Sequence, residues 1–201
     1  MRRNEFEIKD QNALEALLAE CEYGTLGLIN NDEPYCVPVN FVWHGDGICF
    51  HGALNGCKAE IFKKDIKSSF SVVKPYSLIP SYFSGSASAC PATQLFISAH
   101  IVGKIETVTD ASEKCAALMA LMQKLQPDGR YETITSENKI YTKILTETGV
   151  YILMPSSFSV KVKMGQNLSK ERVDRLITEL EKRNSALDTL SISALIQYNK
   201  S

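Results

Sequence analysis

The chain has 201 residues, enough for one large domain or a domain with an appendage. It is 44% hydrophobic with a formal net charge of -1, and neither half is strongly basic. That argues against a nucleic-acid surface as the main partner, because phosphate-backbone binding needs clustered Lys and Arg. No apolar run approaches the roughly 18 residues of a membrane-spanning helix. The opening MRRNEFEIKD lacks the apolar stretch of a secretory signal. The expectation is therefore a cytoplasmic protein with no membrane or nucleic-acid partner.

In chain order, Asp10 is placed to cap a helix carrying Leu14, Leu17, Leu18 and Cys21 on one stripe. YGTLGLIN follows as a strand and NDE as a turn. PYCVPVNFVW then alternates, with Tyr35, Val37, Val39, Phe41 and Trp43 on one face and Cys36, Pro38, Asn40 and Val42 on the other. HGDG is a hairpin turn and ICFH the returning strand. A short helix is expected at about 57–65, then a strand, IKSSFSVVK. Residues 75–92, rich in Pro, Ser and Gly, read as a long loop.

TQLFISAHIVGKIETV is the next strand. It puts Phe96, Ser98 and His100 on one face and Leu95, Ile97, Ala99 and Ile101 on the other. Asp110 and Glu113 form a capping box for the helix ASEKCAALMALMQKL, which QPDGR ends. A further helix is expected over roughly 135–146, then two strands, GVYILM and SFSVKVKM. Two amphipathic helices complete the chain from Ser169. Hairpins point to an antiparallel sheet, and the strand count favours a small barrel with flanking helices, a mainly β fold of the α+β class. The expected division is a barrel domain over 1–165 and a helical extension over 166–201.

Six cysteines occur, none as C-x-x-C. They read as reduced thiols in or near the core. His44, Cys49, His51 and Cys57 lie close in sequence, but their spacing does not make the paired ligand sets of structural zinc. No metal is expected.

The stretch CFHGALNGCK carries the candidate chemistry. It places His51 at a strand end and Lys58 in the first turn of a helix. A lysine there opposes the partial positive charge of the free N–H groups, unless an anion is bound. Gly56, those N–H groups and the ammonium then form a phosphate cradle; otherwise Lys58 extends into solvent. Pro38 interrupts a strand ladder, and Asn40 shares its face. Such a strand can offer free backbone groups to a planar heterocycle; the alternative is an internally hydrogen-bonded polar face for Asn40 and His51. Ser98 is either a further contact or a plain surface serine. A heterocycle-facing strand, an aromatic edge and a phosphate cradle together describe a flavin mononucleotide (FMN) site.

The ordered set MRRNEFEI, GTLGLIN, PYCVPVNFVW, FHGALNGCK, CPATQLFISAHIVGKIE and DASEKCAALMALMQKLQP covers about residues 1–155. It resembles the FMN-binding split-barrel flavoproteins related to pyridoxamine-phosphate oxidase, and within them the 5-nitroimidazole-resistance (nitroimidazole reductase) family. The resemblance implies a homodimer with FMN at the subunit interface. It implies cofactor contacts from Pro38, Val39, Asn40, His51, Gly52 and Lys58, and from Thr93, Phe96 and Ser98, with His51 near the reactive edge of the flavin. Ala92 stands where the family often has Trp, and Phe96 where it often has Tyr. The tail resembles other split barrels in which a Q-N pair precedes a helix. Gln166 and Asn167 therefore either reach the flavin or form a helix-entry turn, with Asn167 or Ser169 as N-cap.

The function expected from these residues is that of an FMN-dependent oxidoreductase reducing a small acceptor, nitroaromatics among the candidates. No G-x-G-x-x-G fingerprint occurs, so an NAD(P)H donor would bind transiently. His51 is the candidate catalytic group. The competing readings are a non-catalytic flavin-binding or regulatory protein and a haem-binding split barrel.

Overall fold

The structure is a computed structural model and describes residues 4–64 and 67–199. Met1 to Arg3, Asp65, Ile66, Lys200 and Ser201, to which the sequence reading assigned a motif or an element, lie outside the described residues.

Eight strands form one sheet in the order β3-β2-β6-β7-β8-β5-β4, with β1 paired to β8. The strands are β1 (Glu7–Ile8), β2 (Tyr23–Asn30), β3 (Glu33–Asn40), β4 (Val42–His44), β5 (Gly47–Ala53), β6 (Lys67–Ile79), β7 (Thr93–Thr107) and β8 (Thr148–Lys163). The helices are α1 (Gln11–Glu20), α2 (Cys57–Phe62), α3 (Ala111–Leu125), α4 (Thr142–Glu147), α5 (Lys170–Arg183) and α6 (Asp188–Tyr198). β2 pairs antiparallel with β3 and β6, β5 with β4 and β8, and β1 with β8. The expected antiparallel α+β architecture with a helical tail is what the chain adopts.

Two compact units divide the chain. One comprises residues 11–72 and 99–158; the other comprises 1–10, 73–98 and 159–201. β6, β7 and β8 each contribute a part to both. The first unit buries Leu14, Leu18, Leu26, Phe41, Ile48, Phe70, Ile101 and Leu153. Phe41 and Phe70 meet edge to face at 4.8 Å. In α3, Asp110 accepts a hydrogen bond from the Glu113 N–H at 2.9 Å, so the expected cap is in place. Ala117 on that helix packs with Cys49 and Val150.

The second unit buries Leu95, Val160, Val162, Met164, Leu180 and Leu195. Asp188, 1% exposed, is held there by Arg183, Ser77 and the Ser185 N–H.

The turn between β2 and β3 is Asn31-Asp32, both at positive φ (49° and 66°), the backbone of a tight hairpin. Gly103 of β7 has a sheet role: a Cβ there would collide with the Met154 carbonyl.

Four expectations needed correction. PYCVPVNFVW is two strands, because β2 begins at Tyr23, paired with Asn40, and the chain beyond Phe41 changes partner to β5. Residues 75–79 belong to β6, so the loop is shorter; β2 pairs only residues 69–71 of that strand, and Pro75 falls beyond them. GVYILM and SFSVKVKM are one strand, β8. Its Pro155 lies between the segment paired with β5 and the segment paired with β1, where its missing N–H breaks neither ladder. The helix expected over 135–146 covers only Thr142–Glu147. Asn138 bonds the Thr133 carbonyl and the Ile140 N–H, holding the preceding segment in turns instead.

Candidate functional site

β5 continues to Ala53, so His51 is two residues inside the strand rather than at its end. It pairs with Val150, and Gly52 pairs with Gly149. Alternation sends Phe50 into the core and leaves His51 exposed on the opposite face. The chain then turns through Gly56, whose φ of 108° favours glycine, into α2. Lys58 is the second residue of that helix and is half-buried. Its ammonium lies 3.8 Å from where a Cβ on Gly52 would stand. No carboxylate pairs with Lys58 among the described residues.

The surrounding protein lowers the pKa of His51, and repulsion from Lys58 lowers it further. Neutral imidazole is therefore favoured around neutral pH, with one ring nitrogen able to accept a proton and the other to donate one.

Sequence reasoning missed Tyr151. It is 3% exposed, stacks on Phe50 at 5.8 Å and meets Phe62 at 4.7 Å. Its hydroxyl donates to the Ala53 carbonyl at 3.0 Å, anchoring the end of β5 just beyond His51 and Gly52. The sequence signal is Gly149, two residues earlier, where a side chain would occupy the space of the Tyr151 ring.

Pro38, Val39 and Asn40 lie on β3, at one end of the strand order, where the missing Pro38 N–H costs least. β3 contacts β5. Pro38 and Asn40 are exposed and Val39 is buried. The Asn40 amide donates to the Glu22 carbonyl at 3.1 Å, so one of its groups is already engaged locally.

These three residues, with His51, Gly52 and Lys58, belong to one compact unit. Thr93, Phe96, Ser98, Gln166 and Asn167 belong to the other. There, Thr93 bonds the Lys163 ammonium, and the Lys161 and Lys163 ammoniums stand 5.3 and 5.7 Å from the Phe96 ring centroid. Ser98 is half-buried. The Gln166 amide closes a turn, accepting from the Met164 N–H at 2.8 Å and donating to the Val162 carbonyl at 2.9 Å. Asn167 lines a cavity with Thr93, and Ser169 is the N-cap residue of α5.

All six cysteines are free; Cys21, Cys49 and Cys115 are buried, while Cys36, Cys57 and Cys90 are exposed, against the expectation that all six lie in or near the core. Burial pushes the Cys49 thiol up to about 11, which disfavours the thiolate that zinc requires. Among the described residues, no group of three or more His, Cys, Asp or Glu is placed to hold a metal ion. No described helix is long and apolar enough to cross a membrane.

Comparison with solved structures places this arrangement among known folds. A protein described as a candidate 5-nitroimidazole antibiotic resistance protein from Bacteroides thetaiotaomicron is 21% identical, with a TM-score of 0.62, over 78% of this chain and 86% of that one. The flavocytochrome Anf3 from Azotobacter vinelandii is 23% identical, with a TM-score of 0.69, over 81% and 72%. The FAD and heme binding protein from Mycobacterium smegmatis is 20% identical, with a TM-score of 0.67, over 84% and 78%. At these identities the likeness establishes the fold, a split barrel with flanking helices. A comparison with curated proteins returned no match. Residues 10–162 match the family described as Pyridoxamine 5'-phosphate oxidase. That span covers strands β2 to β7, nearly all of β8, and the helices α1 to α4. The chain therefore belongs to the pyridoxamine 5'-phosphate oxidase-like split-barrel family.

Proposed function

We propose that the chain binds FMN at the subunit interface of a homodimer and acts as a flavin-dependent oxidoreductase. The carrying observation is Lys58: a half-buried ammonium beside Gly52, with no carboxylate partner among the described residues. A partly desolvated cation without a counter-charge is unfavourable, and a phosphate offsets that cost. Pro38, Val39 and Asn40 on the neighbouring strand supply a surface for the ring. Bound FMN supplies the redox chemistry. His51 is the group that tunes the flavin or passes a proton to the acceptor. Family membership and the flavoproteins among the structural neighbours support this reading.

The acceptor is a small molecule, with nitroaromatics the first to test, given the resistance protein among the neighbours. NAD(P)H is the proposed transient donor and the cytoplasm the proposed compartment, in keeping with six free thiols. The test is the visible spectrum of the purified protein, followed by anaerobic NAD(P)H and then an acceptor. A flavin spectrum that bleaches and recovers is expected. A flavin spectrum without turnover leaves a binding protein; a haem Soret band with no flavin absorbance overturns the flavin reading.

A further inference from the structure

The unit formed by residues 1–10, 73–98 and 159–201 contains a cavity of about 540 Å³. Phe6, Ile79, Phe83, Leu95, Leu168 and Leu176 give it an apolar lining. Three cations also line it, Lys163, Arg172 and Arg175, and no Asp or Glu does so among the described residues. The cations come from two elements, Lys163 from β8 and both arginines from α5. Lys163 stands at the end of β8, bonded to Thr93. Arg175 donates to the Ser84 carbonyl at 3.0 Å, and its guanidinium occupies the space a side chain on Gly85 would take. Gly85 ends a 3-10 turn at a φ of 74°, so it is free of a Cβ where the arginine passes.

Arg172 lies one turn before Arg175 on α5. It is exposed, and no carboxylate pairs with it among the described residues. Like charges three residues apart on a helix repel. Both arginines also occupy the first turns of α5, where the helix end carries partial positive charge. Among the described residues, no carboxylate in the lining stands beside the two arginines. A single acidic group would offset both the repulsion between the arginines and the charge of the helix end.

We propose that this cavity is a binding site for a small organic anion with an apolar body and one acidic head, separate from the flavin site proposed at Lys58 and His51, and that Thr93 and Asn167, which line it, serve this anion and not the flavin. Its volume falls in the range that encloses a small ligand, roughly 300–1,000 Å³. The apolar lining takes the body of the ligand. Arg172, Arg175 and Lys163 take the head, for which a carboxylate and a phosphate monoester offer the same charge-assisted hydrogen bonds.

The test uses the full-length protein and displacement of fluorescent anilinonaphthalenesulfonate by octanoate, octyl phosphate and uncharged octanol. Both anions are expected to displace the probe, and octanol to do so about tenfold more weakly. Arg172→Ala should weaken both anions about tenfold and leave octanol unchanged. Arg172→Lys should recover part of the loss. Tighter binding of octyl phosphate assigns a phosphate head, and tighter binding of octanoate a carboxylate; either supports the site. The proposal is overturned if octanol competes as well as the anions, if nothing displaces the probe, or if Arg172→Ala leaves the anions unaffected. The flavin content of Arg172→Ala is measured alongside. If this variant loses flavin, the cavity belongs to the flavin site and the separate site is refuted, while the flavin reading itself stands.

Discussion

Lys58 and His51 are coupled across Gly52: the lysine ammonium, 3.8 Å from where a Gly52 Cβ would stand, helps hold the imidazole below its ordinary pKa. The larger cause is the protein around the ring, and the lysine adds repulsion of the imidazolium. An NMR titration of the three histidines should therefore find His51 below its ordinary 6.5. Lys58→Met removes the repulsion, so the midpoint should rise while staying below that value. The sign for stability follows. A group whose pKa is lowered by folding binds more protons when unfolded, so its contribution is lost as pH falls through 6.5. A Lys58→Met variant with an unmoved His51 midpoint would show the two groups to be independent.

Lys58→Ala removes one charge-assisted phosphate contact, worth roughly 1.5–3 kcal/mol. The expected loss in FMN affinity is about ten- to a hundredfold. Riboflavin lacks the phosphate and should bind parent and variant alike. Equal FMN affinity for the two proteins would leave Lys58 a solvated lysine.

His51→Ala should retain FMN, because the proposed phosphate contact lies on α2 and not on β5. Its flavin reduction potential or acceptor reduction rate should change. If the imidazole passes a proton, the parent rate depends on pH and the variant loses that dependence. Unchanged potential, rate and pH profile would make His51 an ordinary exposed strand residue.

A subunit contact of roughly 800 Å² per partner is the usual size of a stable interface. Light scattering on the flavin-loaded protein should give twice the 22.3 kDa chain mass. A monomer that retains FMN would refute the interfacial site.

Arg183→Ala leaves the Asp188 carboxylate, 1% exposed, without its cation. The expected cost is roughly 3 kcal/mol by urea unfolding, because the charge left behind is buried. Arg183 and hydrogen bonds from Ser77 and the Ser185 N–H depress the pKa of Asp188. Its contribution is therefore present above the ordinary 3.8 and is lost as pH falls below it. Gly103→Ala should also destabilise, by about 1–3 kcal/mol, since a backbone carbonyl cannot rotate away as a side chain can. Parent-like unfolding midpoints in either variant would contradict these accounts.

The sequence by itself determined the elements whose cause is local. The Asp110 cap, the hairpin at Asn31-Asp32 and the stripe of Leu14, Leu17 and Leu18 arise from residues within a few positions of one another, so periodicity and turn chemistry reveal them. His51 and Lys58 were legible for the same reason: eight residues of one strand-turn-helix segment contain both. Only the tertiary structure decided where ladders are interrupted. Pro75 and Pro155 look like strand ends in sequence, yet each sits inside a long strand because the neighbouring strand pairs elsewhere. Tyr151 joins the His51 segment through cross-strand register with Phe50, and Lys163 meets Thr93 across seventy positions of chain. Such partners depend on which strands become neighbours, and pairing between distant segments leaves no local periodicity to read.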